Sequence, residues 1–155
     1  MAEALQYAHE KGVLHRDLKP ANVLVDGQGQ PKVMDFGVAR LAMSGDHTQP
    51  GTMLGSPSYM SPEQARGIDV DARTDVYALG AILYGLLAGE KMFDGTVEEV
   101  LAQLLGRKPA AIRRTVRTTP LRLSRLVMSM VDKDPKQRPN SMTAVQAELE
   151  QMRIR

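Results

Sequence analysis

Eight consecutive residues concentrate the chemistry of this chain: His15, Arg16, Asp17, Leu18, Lys19, Pro20, Ala21 and Asn22. Asp35, Phe36 and Gly37 follow, with Asp35 thirteen positions beyond Asn22. A carboxylate such as Asp17 can accept a proton or orient a hydroxyl. Lys19, two residues on, carries a compact cation on a flexible stem. Asn22 and Asp35 offer hard oxygen donors of the kind Mg²⁺ prefers. Each of these residues taken singly is an ordinary solvated loop residue. Together they are not: five specified residues in the order H-R-D-L-x-x-x-N arise by chance about once in three million start positions.

That order, followed by D-F-G, is the pattern of a phosphoryl-transfer loop. Other segments agree with it. Gly55-Ser56-Pro57-Ser58-Tyr59-Met60-Ser61-Pro62-Glu63 resembles a segment ending in A-P-E, with Ser61 in place of Ala. Asp75-Val76-Tyr77-Ala78-Leu79-Gly80 resembles the start of a buried central helix, and Asp134-Pro135 with Arg138-Pro139 resembles a late Arg motif. Over residues 1–153 the chain resembles the C-terminal lobe of a Hanks-type serine/threonine protein kinase. The wording from Ser61 to Gly67 is most similar to the bacterial branch. The resemblance implies a mainly α fold with a small β-hairpin. This would be the C-terminal lobe of a protein-kinase fold that is α+β overall, with the N-terminal β lobe absent. It divides the chain into a catalytic loop (15–22), an activation segment (35–63), a central buried helix (73–88) and C-terminal helices (96–153).

The resemblance also implies roles. The activity would be transfer of the ATP γ-phosphate to protein Ser or Thr hydroxyls, with Mg²⁺. Phosphoryl transfer is mostly positioning and charge neutralisation. Asp17 would take or orient the substrate hydroxyl proton, and Lys19 would sit on the transferring group and contact ATP. Asn22 and Asp35 would hold Mg²⁺, and Leu24 would pack under the adenine ring. His15 and Phe36 would stack in the active state, with Gly37 completing the tripeptide. Ser56 would bond Asp17 and Lys19. Asp75 is expensive to bury unless hydrogen-bonded, and would hold the catalytic-loop backbone. Glu63 and Arg138 would form a buried ion pair, severe to break from one side. Arg16 before Asp17 implies control by phosphorylation of the loop at Thr48 or Thr52, with Ser44 a lesser candidate, because a phosphate would give the guanidinium a bidentate partner.

Several elements must position these residues. Met1, Ala4, Leu5 and Ala8 have helical spacing over residues 1–11, with Gly12 as the stop. No N-cap precedes this helix, so the chain is expected to start inside it. Val23-Leu24-Val25 reads as a strand, Asp26 to Gly29 as a turn, and Pro31 to Met34 as the returning strand. Residues 38–61 lack periodicity and read as a long loop, a length typical of functional or disordered segments. Residues 73–88 are apolar almost all round, as in a helix at the centre of a domain, and Gly89 closes it. Thr96 and Glu99 form a capping-box pattern ahead of Val97, Val100, Leu101, Leu104 and Leu105. Pro120 precedes a helix with Leu123, Leu126, Val127 and Met130 on one face. A last helix from about Ser141 turns Met142, Val145, Leu149 and Met152 inward.

Composition sets the outer limits. The 155 residues are 43% apolar and 25% charged, as in soluble globular domains, which excludes collagen-like and disordered chains. With no Cys there is neither a disulfide nor a thiolate zinc site. Zero Cys with ten Met suits a reducing cytosol, and a cytoplasmic location is expected. No run approaches the length of a membrane span, and no signal peptide is visible. The net charge of +2 is unevenly spread: residues 100–131 hold seven bases and no acid. A basic block can attract phosphate-rich partners. No aromatic residue interleaves it, so bases have no stacking platform and a nucleic-acid partner is not expected.

A complete kinase also needs a glycine-rich loop over the phosphates and a strand Lys paired with a helix Glu. None of these occurs within the 155 residues, so little phosphotransfer is expected of this chain alone. Leu24, Phe36 and the first helix are expected to be bare, an apolar surface prone to association. The partners implied are Ser/Thr protein substrates and, in a second reading, a partner kinase. That second reading is a non-catalytic docking module, binding through the 96–105 helix and the basic block. Two departures from the pattern, Ser61 and Met92 before Phe93, conserve size.

Overall fold

The computed structural model describes residues 1–36 and 57–153. Its first helix, α1, spans Ala2–Glu10 and buries Leu5. Met1 and Ala8 are half-buried while Ala4 points outward, so the inward stripe is narrower than the spacing predicts. Gly12 ends the helix with φ +73°, a left-handed turn that only glycine adopts without steric cost. Its N–H reaches back to the His9 carbonyl at 2.9 Å.

A loop and a single turn of 3₁₀ helix, Pro20–Asn22, lead into strand β1, Val23–Val25. Strand β2, Pro31–Val33, returns antiparallel, with Val23 opposite Val33 and Leu24 opposite Lys32. The turn is built on Asp26, whose Oδ1 accepts the N–H groups of Gln28 and Gln30 at 2.9 and 2.8 Å. The Gln30 amide is the main reason the Asp26 carboxyl lies below its ordinary pKa.

Helix α2, Pro62–Ala65, is one short turn closed by a capping box between Ser61 and Gln64. Helix α3, Ala72–Ala88, starts on Asp71, which accepts the Arg73 amide at 2.8 Å. It ends at Gly89 with φ +76°. α3 is apolar all round because three separate clusters meet it. Val76, Leu79 and Ile82 face Leu5, Leu18, Leu126, Met130, Met142 and Val145. Tyr77 faces Phe93, Val100, Leu104 and Val131. Tyr84 faces Ile112 and Val127.

The remaining helices supply those clusters: α4, Val97–Gly106; α5, Ile112–Thr115; α6, Leu121–Met130; and α7, Met142–Arg153. Thr96 and Glu99 cap α4 reciprocally. α6 crosses α3 at Gly80, where a Cβ would lie 2.7 Å from Met130 Cβ and 2.9 Å from Val131 Cγ1. α7 packs on α1, and Gln6 accepts the Thr143 amide at 3.2 Å. Among the described residues the protein is therefore mainly helical with one small antiparallel hairpin. No helix among them is long and apolar enough to cross a membrane.

The long segment read as a loop contains a 3₁₀ turn, Pro57–Tyr59, and ends at Ser61, the N-cap of α2. Neither α2 nor α5 shows periodicity in sequence, because four residues make barely one turn. Residues 37–56 lie outside the described part, so Gly37, Ser44, Thr48, Thr52 and Ser56 are not placed here.

Candidate active site

The geometry of the site begins with a buried acid. Asp75, in the first turn of α3, is fully buried. Such a carboxylate is tolerated only when hydrogen bonds replace its lost hydration. Here the N–H groups of His15 and Arg16 donate to its Oδ2 and Oδ1 at 2.8 and 2.9 Å. His9 Nε2 approaches Oδ2 at 2.7 Å.

These contacts hold a strained turn. Arg16 has φ +64°, a region that costs a non-glycine residue about 1–2 kcal/mol. Gln64 donates from Nε2 to the Arg16 carbonyl at 2.7 Å. The amides of His15 and Arg16 and the carbonyl of Arg16 are thus all held from other elements. The Arg16 side chain, half-buried, has no hydrogen-bond or ion-pair partner among the described residues.

Beyond the turn the polar side chains converge. Lys19 Nζ donates to Asp17 Oδ2 at 2.7 Å. Asn22 Nδ2 donates to the Asp17 carbonyl at 2.8 Å and faces Asp17 Oδ2 at 3.4 Å. The Asp17 side chain is 50% exposed and that of Lys19 27%, so the pair opens toward solvent from a fixed base. That base is Leu18, buried in the core between them.

A second segment is tied to this loop. His15 is fully buried, and its Nε2 donates to the Met34 carbonyl at 2.8 Å. A carbonyl can only accept, so Nε2 carries the proton; Nδ1 is left to accept the Asp17 amide at 3.3 Å. The Met34 amide donates to the Asn22 carbonyl at 2.9 Å. The Phe36 ring lies 5.0 Å from the His15 ring, tilted at 53°. Phe36 is half-buried against the central cluster, so it is not bare as the sequence suggested. Asp35, between them, is exposed and has φ +59°. The site therefore contains two non-glycine residues in the left-handed region, one on each side of Asn22.

Asn22 and Asp35 suit a magnesium ion by donor type. The Asn22 side-chain nitrogen is committed to Asp17, while the side-chain oxygen, Oδ1, accepts nothing among the described residues. Those residues contain no group of three or more His, Asp or Glu able to cage a metal. One or two protein oxygens completed by phosphate and water is the usual mode for Mg²⁺. Leu24 stands on β1, 55% exposed, with Val25 beside it; Tyr7 on α1 is 66% exposed.

Below the site, Glu63 and Arg138 form a bidentate pair at 2.7 and 2.8 Å. Thr74 donates to Glu63 Oε1 at 2.8 Å, and Arg138 also reaches the carbonyls of Asp132, Arg73 and Lys133. The guanidinium lies 4.8 Å from the Tyr77 ring centroid. Burial pushes the Glu63 carboxyl up, but the Arg138 guanidinium together with hydrogen bonds from its own backbone and Thr74 more than offsets it and leaves the pKa below its ordinary value. Burial also pushes the Tyr77 phenol well above its ordinary range.

Three contributors were not read from the sequence: His9, Gln64 and Thr74. The signal for Gln64 was present as Ser61-x-x-Gln64, a capping-box pattern. His9 and Thr74 have no sequence signal, because their partners lie far along the chain.

The sequence matches the family described as protein kinase domain over residues 1–149. It is 42% identical over 151 residues to the serine/threonine-protein kinase PknB of Mycolicibacterium smegmatis. That match covers 95% of this chain and 24% of PknB. It is 39% identical over 146 residues to the DNA damage-responsive serine/threonine-protein kinase RqkA of Deinococcus radiodurans, covering 93% of this chain and 22% of RqkA. With pkn3 of Myxococcus xanthus it shares 42% over 159 positions, covering 95% of this chain and 29% of pkn3. The chain thus spans about a quarter of the length of the curated relatives it matches. With the H-R-D-L-K segment and Asp35-Phe36 brought together by His15, Met34 and Phe36, this chain belongs to the protein kinase domain family, in its bacterial Hanks-type serine/threonine branch.

Proposed function

We propose that this chain supplies the catalytic-loop half of a serine/threonine protein kinase, transferring the ATP γ-phosphate to Ser or Thr hydroxyls of a protein. The observation that carries the reading is the Asp17–Lys19–Asn22 cluster, with Lys19 Nζ 2.7 Å from Asp17 Oδ2 on a loop whose backbone is held by Asp75 and Gln64. Asp17 is the proton acceptor for the substrate hydroxyl. Lys19 neutralises charge on the transferring group. Asn22 and Asp35 are the residues that would hold Mg²⁺, which supplies charge neutralisation between the phosphates when bound. Leu24, exposed on β1, presents an apolar surface on which an adenine ring would rest.

The glycine-rich loop and strand Lys that cover the phosphates are not among these 155 residues. We therefore expect low transfer by the chain alone. The test joins residues 1–155 to the glycine-rich lobe of an active serine/threonine kinase and measures phosphate transfer from ATP to a Ser/Thr-containing protein. Transfer by the fusion that disappears in Asp17→Asn supports the reading. No transfer by a folded fusion, or transfer indifferent to Asp17, sinks it.

A docking module is the second reading. The exposed Val97 and Leu105 on α4, next to the acid-free block, favour it. It requires partner binding that survives Asp17→Asn.

A further inference from the structure

Three cations from distant parts of the chain converge where α2 packs on α4. Arg66 is the C-cap of α2, Lys108 lies two residues beyond the end of α4, and Lys133 lies three beyond the end of α6. The apolar residues behind them belong to one cluster: Ala65, Leu104 and Val131 all pack with Tyr77 and Phe93. The three side chains therefore leave the core around a common rim. Arg66 and Lys108 are exposed, while Lys133 is half-buried. Burial first, and then the charges of Arg66 and Lys108, hold the Lys133 ammonium below its ordinary pKa.

No acid answers these charges. None of the three side chains makes a hydrogen bond or an ion pair among the described residues. The acids flanking Lys133 are spent on their own loop: Asp132 Oδ1 accepts the Asp134 amide and Asp134 Oδ1 the Lys136 amide, each at 2.9 Å. Asp69, three residues from Arg66, is exposed and forms no ion pair. Like charges gathered at a half-buried ammonium disfavour its charged form, and an anion between them removes that cost.

The mounting is firm. The Arg66 amide donates to the Pro62 carbonyl at 3.1 Å. The Lys133 carbonyl accepts Arg138 Nη2 at 3.3 Å, and Arg138 is locked on Glu63 in α2. The segments that carry Arg66 and Lys133 are thus tied together through the buried pair.

We propose that Arg66, Lys108 and Lys133 form a binding site for a phosphate monoester dianion or inorganic phosphate. A carboxylate brings one charge and two oxygens. A phosphate brings a charge of about −1.5 to −2 and three acceptor oxygens. Arg66 offers a planar fork to two of them, and the two ammonium groups are compact charges for the rest. The site stands apart from phosphoryl transfer at Asp17. Its phosphate has two sources, free in solution or on a phosphorylated Ser or Thr of a protein.

Inorganic phosphate and a phosphothreonine peptide are each titrated into the 155-residue chain at low salt, with backbone amide shifts as the readout. The unphosphorylated Thr peptide and chloride are the controls. Inorganic phosphate should move the amides around Arg66, Lys108 and Lys133. A phosphopeptide that binds tighter than inorganic phosphate assigns the site to a phosphorylated protein; one that binds no tighter assigns it to free phosphate. Lys108→Gln and Lys133→Gln should each weaken binding about tenfold. Phosphate shifts confined to residues 15–22, shifts that the controls reproduce, or no shift with either probe overturn the proposal. Affinity unchanged in Lys108→Gln also overturns it. If Lys133→Gln does not fold, the exposed Lys108→Gln alone decides.

Discussion

Glu63 and Arg138 stand 75 residues apart in sequence and meet as a bidentate pair with each residue 4% exposed. The pair joins the start of α2 to the turn before α7. Every donor on the Arg138 side is used, on Glu63 or on backbone carbonyls. Removing one partner strands a buried charge. Arg138→Met should therefore destabilise the chain by about 3–5 kcal/mol, read from urea denaturation. Glu63→Gln with Arg138→Met should recover part of that loss, since neither charge then remains.

The same pair gives an acid signature. The Glu63 carboxyl has a folded pKa below its ordinary 4.5, burial raising it and Arg138, with smaller help from backbone and Thr74 hydrogen bonds, lowering it. A depressed folded value means the unfolded chain binds its proton first as pH falls. The contribution of the pair is complete above the unfolded value and is lost as pH drops through the folded one. In Arg138→Met the sign reverses: Glu63 is buried without a cation, its pKa rises, and acid should stabilise this variant relative to neutral pH. Melts of both proteins across this acid range compare the two slopes. Parallel slopes would show that the pair is not linked to pH.

Gln64 connects a helix cap to the Arg16 carbonyl. Gln64→Ala should cost about 1–2 kcal/mol, from the cap and from the carbonyl left unpaired. Gln64→Glu keeps the acceptor for the Ser61 amide but cannot donate to Arg16. It should therefore preserve α2 and still loosen the loop. Amide exchange separates the two effects: slow exchange in α2 with faster exchange at Arg16 and Asp17 is the expected result for Gln64→Glu.

Gly80 sets the distance between α3 and α6. An added methyl would meet Met130 Cβ at 2.7 Å and Val131 Cγ1 at 2.9 Å, atoms close to the backbone that have little room to move. Gly80→Ala should destabilise by about 1–3 kcal/mol despite its better helix propensity. A thermal melt checks this, and a rise in Tm would mean that the helices separate freely.

Much of this was legible in sequence, for identifiable reasons. Residues 73–88 announce a buried helix because nearly every position is apolar, and the structure shows three clusters using most of them, with Leu86 left exposed. Thr96 with Glu99 marks the start of α4 because a capping box is local chemistry. The hairpin is visible because Asp26 to Gly29 is a turn sequence that follows the short apolar, β-branched run Val23-Leu24-Val25. One partner of Asp75, His9, is another matter. A lone Asp in an apolar helix says that something must satisfy it, but His9 lies 66 residues away and no spacing rule reaches that far. The positive φ of Arg16 and Asp35 is likewise invisible, since neither is glycine. Strain of this kind is stored where tertiary contacts over-determine the backbone.

Lys19 provides the sharpest test of the site itself. Its ammonium is 2.7 Å from Asp17 Oδ2 and is 27% exposed, so it is fixed by the pair yet free to meet a ligand. Pairing with Asp17 alone would be worth little at that exposure, because solvent screens it. Lys19→Met should therefore leave the fold nearly unchanged, within about 0.5 kcal/mol in a urea titration. If the ammonium meets charge that develops during transfer, its removal should lower kcat of the fusion protein by about 100- to 1,000-fold. Lys19→Arg keeps the charge but replaces a compact cation by a planar fork and should recover only part of the rate. A large loss of stability in Lys19→Met would make the residue structural. An unchanged kcat would remove it from the reaction and leave Asp17 without the neighbour that the geometry gives it.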